Sequence, residues 1–487
     1  MVAVACGAAN PGVTATRSRQ AGTAGGELFP TESTVTGESL PPAEPTYDII
    51  PGVVDFGANK APQPYDGFLT AAFGDIQEYW LDAYTEAYGE PFEPLSGGIY
   101  AAYPTRQERI PGCGEPDSSY EDVAAYSAFY CIAGDFMAYD DDAFLPALVN
   151  DLGKEAVAIV LAHEFGHAVQ ARAGEWDNPV VLKEQQADCF AGAWAAHVAS
   201  GGSDLITFDD ADVRSGLIAM IQVRDPVDGE GLSNPQAHGT GFDRVGAFQD
   251  GFDGGVLRCK PFFDEDRLNN LVDIPWDVDD PNQGNLPLVD PNPDPDTGPN
   301  DIVTLLPLSL DYFWVALAEA NGVPFTAPTM QAFSGSGPFP SCAGIDETQY
   351  PRNVLYCTAD NVIYFDQDFA LEISQNPLTG DMSVGYLLSN AYSDAIQTAL
   401  RGSRTGEPRA LFNDCLTGAW VASTVPPTPP DSPVRLSAGD LDEAIIIAIA
   451  RSDESTDTNV NGNAFEKITA FRTGVLGGLS VCLEIIG

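Results

Sequence analysis

The 487-residue sequence has few basic residues and few histidines. It contains 22 lysines and arginines against 71 aspartates and glutamates, which gives a formal net charge of −49 at pH 7. A surface this acidic repels phosphate groups, so nucleic acids and anionic membranes are excluded as expected partners. The chain has only four histidines. Two of them at the spacing of metal ligands are therefore unexpected from composition alone.

Long apolar runs are also missing. The longest candidate, "EAIIIAIA" at 443–450, is too short to cross a bilayer and predicts a buried helix segment, so we expect no transmembrane helix. The N-terminal "MVAVACGAANPG" lacks a basic and apolar leader, but its small residues ending at Cys6 resemble the end of a bacterial lipoprotein signal. Cys6 is thus a possible site of a lipid anchor. The alternative is a stray cysteine in a disordered tail.

The sequence contains an internal repeat. The segment "LKEQQADCFAGAW" at 182–194 corresponds to "PRALFNDCLTGAW" at 408–420. Further along, "FDRVGAFQDGFDGGVLRC" at 242–259 corresponds without a gap to "FEKITAFRTGVLGGLSVC" at 465–482. Self-similarity at a nearly constant offset is the signature of repeated structural units. We therefore predict a tandem duplication.

The repeat and the local composition together predict four regions. The first is a flexible tether rich in glycine, proline and threonine, and the third is an acidic, proline-rich linker that we expect not to pack. The second and fourth regions are the two copies, by the extent of the repeat. The predicted boundaries are 1–67 for the tether, 68–265 for the first copy, 266–300 for the linker and 301–487 for the second copy.

Eight of the nine cysteines support the repeat, because four in each copy occur in corresponding order. An even number in each copy is typical of disulfide-bonded domains in an oxidising compartment, so we expect a secreted or cell-envelope protein. The favoured pairing joins the first cysteine to the second and the third to the fourth, although the other connectivities stay open. The corresponding sets are Cys113, Cys131, Cys189 and Cys259 in the first copy and Cys342, Cys357, Cys415 and Cys482 in the second.

The segment "KEAVAIVLAHEFGHAVQARAG" at 154–174 predicts a helix, since its apolar and small residues recur at helical spacing and Gly174 stands where a helix would end. His163 and His167 are one turn apart on the same face and can reach one metal ion. Glu164 points beside that ion. Its expected role is to hold and deprotonate a water in the open coordination position.

A catalytic zinc ion needs a third protein ligand, and the next predicted helix, "KEQQADCFAGAWAAHVAS" at 183–200, supplies one. Glu184 is the expected third ligand. Asp188, one turn further on the same face, can accept the outer N–H group of a zinc-binding histidine and fix its tautomer. HExxH followed by ExxxD on the next helix is a far more specific signal for bound Zn²⁺ than HExxH alone.

These motifs resemble the bacterial neutral zinc metallopeptidase family, which has an HExxH, gluzincin-like site. The resemblance rests on "HEFGHAVQ", "EQQADCFAGAW", "HGTGFDRVGAFQDGF" and the upstream cysteine and aspartate pattern, and it covers the first copy nearly end to end. It implies His163, His167 and Glu184 as ligands, Glu164 as the catalytic glutamate and Asp188 behind the ligands. The expected fold class is α+β and predominantly helical, a zincin-like domain with a small sheet, duplicated in tandem. The best strand candidates are "DFMAYDD" at 135–141 and its counterpart "NVIYFD".

The second copy lacks the metal-binding residues. The four positions of the proposed ligands and base carry Asn390, Ala391, Asp394 and Ala410, whereas the cysteines and Asp414 are retained. We therefore expect a degenerate domain without metal. His238 also changes with the ligands, to Asn461, which makes it a candidate donor to the oxyanion of a tetrahedral intermediate. The alternative role for His238 is a cap at the entry of a helix.

The predicted function is a zinc metallopeptidase that hydrolyses peptide bonds with a zinc-bound water activated by Glu164. The catalytically dead second copy would serve substrate binding or structure. The expected partner is a peptide or protein substrate, and we expect a monomer whose two domains pair within the chain. The alternative is a non-catalytic, zinc-containing scaffold of the cell envelope. Glu164 favours the enzyme, because a purely structural zinc has no use for a base beside an open position.

Overall fold

The computed structural model describes residues 4–5, 46–224, 237–274, 285–296, 298–376, 378–400, 404–428, 432–453 and 460–485. Contacts divide the chain into two units. Unit 1 is Met1–Pro226 with Leu232–Val272, and unit 2 is Val227–Gly231 with Asp273–Gly487. Both units consist mainly of helices with small sheets, so the α+β, predominantly helical class is confirmed. The duplication itself stays a prediction.

Unit 1 contains six strands and eight helices among its described residues. In chain order they are β1 (Val4–Ala5), α1 (Asp66–Tyr88), β2 (Gly98–Ala102), β3 (Ile110–Pro111), β4 (Asp117–Ser118), α2 (Tyr120–Ala124), β5 (Ala128–Cys131), β6 (Phe136–Asp140), α3 (Phe144–Leu152), α4 (Lys154–Ala173), α5 (Val180–Ala199), α6 (Asp210–Gln222), α7 (Gly241–Cys259) and α8 (Glu265–Asn269).

The main sheet of unit 1 lies beside the helix that carries the histidine pair. Its strand order is β1-β5-β6-β2, with β2 parallel to β6 and β5 antiparallel to β6. Every residue of β6 is buried, as expected for a central strand covered on both faces. The strand predicted within 135–141 is therefore confirmed as β6. Helix α4 packs against β5, which brings one end of the sheet close to the metal ligands.

Both predicted metal-site helices are present. Helix α4 ends at Gly174, whose φ of 73° is the left-handed conformation that glycine adopts at helix ends. Helix α5 begins at Val180, directly after Pro179, slightly before the predicted start. Both helices are buried around most of their circumference, which explains why small and apolar residues surround the polar site residues.

Helices α5 and α7 approach each other backbone to backbone. A Cβ atom on Gly251 would lie 1.8 Å from the carbonyl oxygen of Cys189, and one on Gly192 would lie 1.9 Å from that of Phe248. Only glycine fits at such a crossing. The Cys189–Cys259 disulfide joins the same two helices. This close packing sets the distance between the side chains that α5 and α7 direct toward the metal site.

Unit 2 contains three strands, six α-helices and a short 3₁₀ helix (Glu347–Gln349) among its described residues. In chain order they are α9 (Ile302–Ala320), β7 (Thr329–Phe333), β8 (Val354–Cys357), β9 (Val362–Asp366), α10 (Gln367–Gln375), α11 (Gly380–Ala399), α12 (Glu407–Ala422), α13 (Asp440–Ala450) and α14 (Ala464–Ile485). The second predicted strand is β9. The apolar run at 443–450 lies in α13, which is a buried helix as predicted.

The sheet of unit 2 has the order β7-β9-β8, with β7 parallel and β8 antiparallel to β9. These are the directions in which β2 and β5 pair with β6 in unit 1. Helices α12 and α14 also cross at glycine, because a Cβ atom on Gly474 would lie 2.0 Å from the carbonyl oxygen of Cys415. Each unit therefore contains a three-stranded arrangement of the same kind and a glycine crossing of two helices.

All four favoured disulfides are present: Cys113–Cys131, Cys189–Cys259, Cys342–Cys357 and Cys415–Cys482. Cys189 is therefore part of a disulfide and is not available as a thiolate ligand. Four disulfides are typical of proteins that fold in an oxidising compartment, outside the cytosol or in the cell envelope.

Parts of the predicted tether and linker pack more than expected. In the tether, Val54 and Tyr65 are buried, and the ammonium group of Lys60 lies 2.7 Å from carboxylate oxygens of both Asp66 and Asp141. In the linker, Leu288 is buried, and residues 285–290 contact the start of α9 and the rest of unit 2. Composition predicted solvated segments, but scattered apolar and charged side chains find partners within unit 1 for the tether and within unit 2 for the linker. Cys6 lies outside the described residues.

Helix α9 was missed by the search for uninterrupted apolar runs. By length and composition it is the one helix in the described ranges that could cross a membrane, and 28% of its apolar window is buried. Its inner face packs in unit 2 as a core helix does. The Trp420 indole N–H donates to Ser309, and the Tyr392 hydroxyl donates to Asp311.

The glycine crossing gives a stability prediction. Gly251→Ala should lower the thermal midpoint markedly, because the new methyl group meets the Cys189 carbonyl and the two helices must separate. Gly74→Ala in α1 is the matched control, since its Cβ would make ordinary contacts no closer than 3.4 Å. Replacement of a helical glycine by alanine in open space should raise the free energy of unfolding by up to about 1 kcal/mol. Equal thermal midpoints for the two variants in calorimetry would contradict the close approach of the two helices.

Candidate metal centre

Helices α4 and α5 bring three predicted ligands together. The Nε2 atom of His163 lies 3.2 Å from Oε2 of Glu184, and that of His167 lies 3.5 Å from Oε1 of the same carboxylate. One donor atom from each of the three residues lies within 4.8 Å of the others. All three side chains are fully buried. The two histidines and the glutamate therefore form one compact donor set.

The partners of the histidines determine which ring nitrogen carries the proton. His163 Nδ1 lies 2.7 Å from Oδ1 of Asp188, and His167 Nδ1 lies 2.9 Å from Oε1 of Gln170. The amide group of Gln170 donates to the carbonyl oxygen of Lys183, so its oxygen is the atom that faces His167. Because both partners accept hydrogen bonds, the Nδ1 atom of each histidine must carry a proton and donate the hydrogen bond. Each Nε2 then presents a lone pair to Glu184.

This arrangement fits a metal ion and little else. Within the described part of the chain, His167 Nε2 and both carboxylate oxygens of Glu184 make no hydrogen bond despite full burial. Lone pairs from two imidazoles and one carboxylate would repel one another at these distances unless a cation lay among them. Two imidazole nitrogens and one carboxylate are a common set of protein ligands for catalytic zinc. The residues present therefore fit zinc.

The electrostatic environment keeps the donors in the protonation state that a metal requires. Burial alone would raise the pKa of Glu184, but the neighbouring imidazoles of His167, His238 and His163 outweigh it and lower that pKa. Burial lowers the pKa of His167 to about 4, although Glu184 opposes the shift. An ionised carboxylate and a neutral imidazole are the forms that coordinate zinc.

Asp188 lies behind His163 and is held by Arg244. The Nε and Nη2 atoms of Arg244 donate to the two oxygens of Asp188 at 2.9 and 2.8 Å, and Nη1 donates to the carbonyl oxygen of Val223 at 2.7 Å. Burial would raise the pKa of Asp188, but Arg244 and His163 outweigh it and lower that pKa. Asp188 thus lies where the sequence predicted an acceptor for an outer histidine N–H group.

Glu164 and His238 are the other two predicted site residues, and both are buried. Glu164 follows His163 on α4 and is fully buried. His238 is 6% exposed, and its imidazole lowers the pKa of Glu184. The alternative role of His238 as a helix cap is wrong, because Thr240 is the N-cap of α7 and accepts from the N–H group of Asp243.

Four residues around the centre were not identified from sequence. Arg244 holds Asp188, the partner of His163, and Gln170 is itself the partner of His167. The ring of Trp176 packs edge-on against His167 with centroids 6.3 Å apart, and the ammonium group of Lys183 lies 4.6 Å from the Trp176 ring. The repeat held a signal for three of the four, because Gln170 corresponds to Gln397, Lys183 to Arg409 and Arg244 to Lys467.

Unit 2 fills the corresponding positions with its own charges. Asp394 forms an ion pair with Arg409 and accepts from the amide group of Asn413 at 2.6 Å. Asn390 donates to Asp414 at 2.6 Å, and Lys467 lies 2.8 Å from the other oxygen of Asp414. These groups satisfy one another without a metal ion.

A second group that could hold a cation also lies in unit 2. The buried carboxylates of Asp381, Asp440 and Glu443 bring oxygen atoms within 4.8 Å of one another, a set suited to hard cations. Several of these oxygens already accept hydrogen bonds, from the N–H groups of Leu286, Met382 and Ser437 and from the Ser437 hydroxyl. The group therefore resembles a set of helix-entry caps as much as an ion site.

Comparison with known proteins agrees with the geometry of unit 1. Residues 107–262 match the family described as "Putative neutral zinc metallopeptidase". The chain is similar to the uncharacterized protein YpfJ of Escherichia coli K12, with 30% identity over 175 residues, covering 31% of this chain and 57% of the relative. It is also similar to the uncharacterized protein Rv2575 of Mycobacterium tuberculosis H37Rv, with 31% identity over 169 residues, covering 30% of this chain and 55% of the relative.

The chain thus spans somewhat more than half the length of these curated relatives. No solved structure was found to match it. The segment 107–262 matches the model of the zinc metallopeptidase family, and the predicted resemblance is confirmed for this segment. The family implies zinc as the metal, in agreement with the group formed by His163, His167 and Glu184.

The centre gives a prediction about metal content. The purified chain should retain one tightly bound zinc ion after dialysis, measured by atomic absorption, and His167→Ala should lose it because two donors cannot hold zinc tightly. Asp394→Ala, the corresponding position in unit 2, is the matched control and should keep the ion. Loss of zinc from the control, or its retention in His167→Ala, would contradict the assignment.

Proposed function

We propose that unit 1 is a zinc-dependent peptidase that hydrolyses peptide bonds in a peptide or protein substrate. The observation that carries the proposal is the convergence of the His163, His167 and Glu184 donor atoms, with the buried carboxylate of Glu164 beside them on the same helix. A structural zinc site is closed by four protein ligands, whereas this site has three and an acidic residue that is not a ligand.

Zinc, when bound, supplies a Lewis acid for the scissile carbonyl group and lowers the pKa of a water molecule. The carboxylate of Glu164 accepts a proton from the attacking water and then gives it to the nitrogen of the leaving amine. His238 donates a hydrogen bond to the oxyanion that the carbonyl oxygen becomes when water attacks the carbonyl carbon. Asp188 and Gln170 keep both ligand histidines protonated at Nδ1, which leaves the Nε2 lone pair available to bind a metal ion.

We further propose that unit 2 is a duplicated copy that has lost catalysis and serves substrate binding or structure. Support comes from the matched cysteine positions, the matched strand directions around β6 and β9 and the glycine crossing in each unit. The amide group of Gln397 donates to the carbonyl oxygen of Arg409 at 3.1 Å, as Gln170 does to Lys183. Ala391 and Ala410 offer no group that could act as base or ligand.

The four disulfides support a secreted or cell-envelope location. A lipid anchor at Cys6 would hold the protein at the envelope and stays a prediction, as does the monomer with paired domains. An extracellular or envelope protein with this site would meet its substrates outside the cytosol.

The base is tested by Glu164→Gln, which keeps the size and hydrogen bonding of the side chain but cannot accept the proton. Cleavage of a peptide library, followed by mass spectrometry, should fall by about 10²–10⁴-fold while zinc content is unchanged. Glu155→Gln, on the same helix but paired with Lys154 near its start, is the control and should cleave like the wild type. Equal cleavage by Glu164→Gln and the wild type would rule out Glu164 as the base.

The role of His238 is tested by His238→Asn, which installs the residue found at the corresponding position of unit 2. We expect kcat to fall by about 10²-fold with zinc content unchanged, because one donor to the oxyanion is removed. If the variant instead loses its zinc, His238 acts on the metal ligands and the oxyanion role is wrong.

A further inference from the structure

We propose that Arg244 is a positioning residue for the metal ligand His163 and that it acts through Asp188. The inference rests on the metal site of the proposed function and does not require peptide hydrolysis. Arg244 lies within the matched segment, but neither the family match nor the motif pattern assigns it a role. What points to it is a contact chain that runs from α7 through α5 to α4.

The guanidinium group makes a two-pronged contact with Asp188. Nε donates to Oδ2 at 2.9 Å and Nη2 donates to Oδ1 at 2.8 Å, so two parallel hydrogen bonds fix the plane of the carboxylate. The remaining prong donates to the Val223 carbonyl at 2.7 Å, which anchors the arginine to the end of α6. Arg244 and Asp188 are both fully buried, so water does not compete for these bonds.

The fixed carboxylate in turn fixes the metal ligand. Oδ1 of Asp188 accepts from His163 Nδ1 at 2.7 Å while it also accepts from Arg244. If the arginine were absent, the carboxylate could rotate about its side-chain bond and move Oδ1 away from the imidazole. His163 would then lose the acceptor that sets its tautomer and ring orientation. Loss of such a partner behind a metal ligand typically weakens metal binding by 10–100-fold.

In unit 2 a positively charged residue is retained at the position that corresponds to Arg244, but the two-pronged contact is not. At the corresponding position Lys467 lies 2.8 Å from Oδ2 of Asp414, while Asn390 donates to Oδ1 at 2.6 Å. A single ammonium group therefore balances the buried charge where no ligand has to be oriented. The planar two-pronged contact is found where His163 must point at a metal, and arginine alone provides it.

The test measures the zinc affinity of the full-length, metal-free chain by competition with a chromophoric chelator, together with the absorption spectrum of the Co²⁺ form. Arg244→Met should bind zinc about 10–100-fold more weakly and show altered cobalt bands. Arg244→Lys should bind more tightly than Arg244→Met, because it restores the charge as Lys467 does. Lys467→Met is the matched control in unit 2 and should bind zinc like the wild type.

Circular dichroism of each metal-free variant checks that it is folded. If Arg244→Met is unfolded, Arg244→Gln, which keeps a hydrogen-bond donor without the fork or the charge, is judged by the same criteria. A folded variant with wild-type zinc affinity and wild-type cobalt bands would overturn the proposal, as would equal weakening in Lys467→Met. Because affinity is measured without substrate, failure here is distinct from failure of the peptidase proposal, which depends on cleavage by the wild type.

Discussion

The hydrogen bond between His163 and Asp188 is the contact on which the metal centre depends. It joins α4 to α5, and the guanidinium group of Arg244 extends the connection to α7. The three helices can meet in this way because α5 and α7 cross at glycine residues and are joined by a disulfide. A small shift at that crossing would move Asp188 relative to His163, and the tautomer of a metal ligand would no longer be fixed. Backbone packing far from the ligands thus controls the chemistry of the ligand atoms.

The burial of so many polar groups is explained by charge balance. In unit 1, two neutral imidazoles and one ionised carboxylate surround a position that only a cation can stabilise. In unit 2, Arg409 supplies a positive charge to Asp394, and Lys467 supplies one to Asp414. The proposed zinc ion of unit 1 therefore corresponds to Arg409 in unit 2, whereas Asp188 and Asp414 are both balanced by the chain itself, through Arg244 and Lys467. An isolated buried charge is costly. If unit 2 is a duplicated copy, the loss of its histidines would therefore have to be accompanied by residues such as Arg409 and Lys467, which supply positive charge.

Much of this was predictable because the informative residues are close together in sequence. The HExxH helix, the ExxxD helix, strands β6 and β9 and the disulfide pairing all follow from local spacing or from the repeat. Arg244 and Gln170 could not be assigned from the motif, because their roles depend on contacts between segments that only the fold brings together. Composition also misjudged the described parts of the tether and the linker, in which Val54 and Lys60 pack within unit 1 and Leu288 packs within unit 2. Helix α9 was missed because polar residues interrupt its apolar pattern.

The central claim is that His163, His167 and Glu184 bind one zinc ion through two imidazole nitrogens and a carboxylate oxygen. Zinc K-edge X-ray absorption of the purified full-length chain tests it most directly. The account predicts nitrogen and oxygen neighbours at about 2.0–2.2 Å, with multiple-scattering features of two imidazoles and no sulfur. A sulfur neighbour at about 2.3 Å, or a spectrum without imidazole scattering, would contradict it.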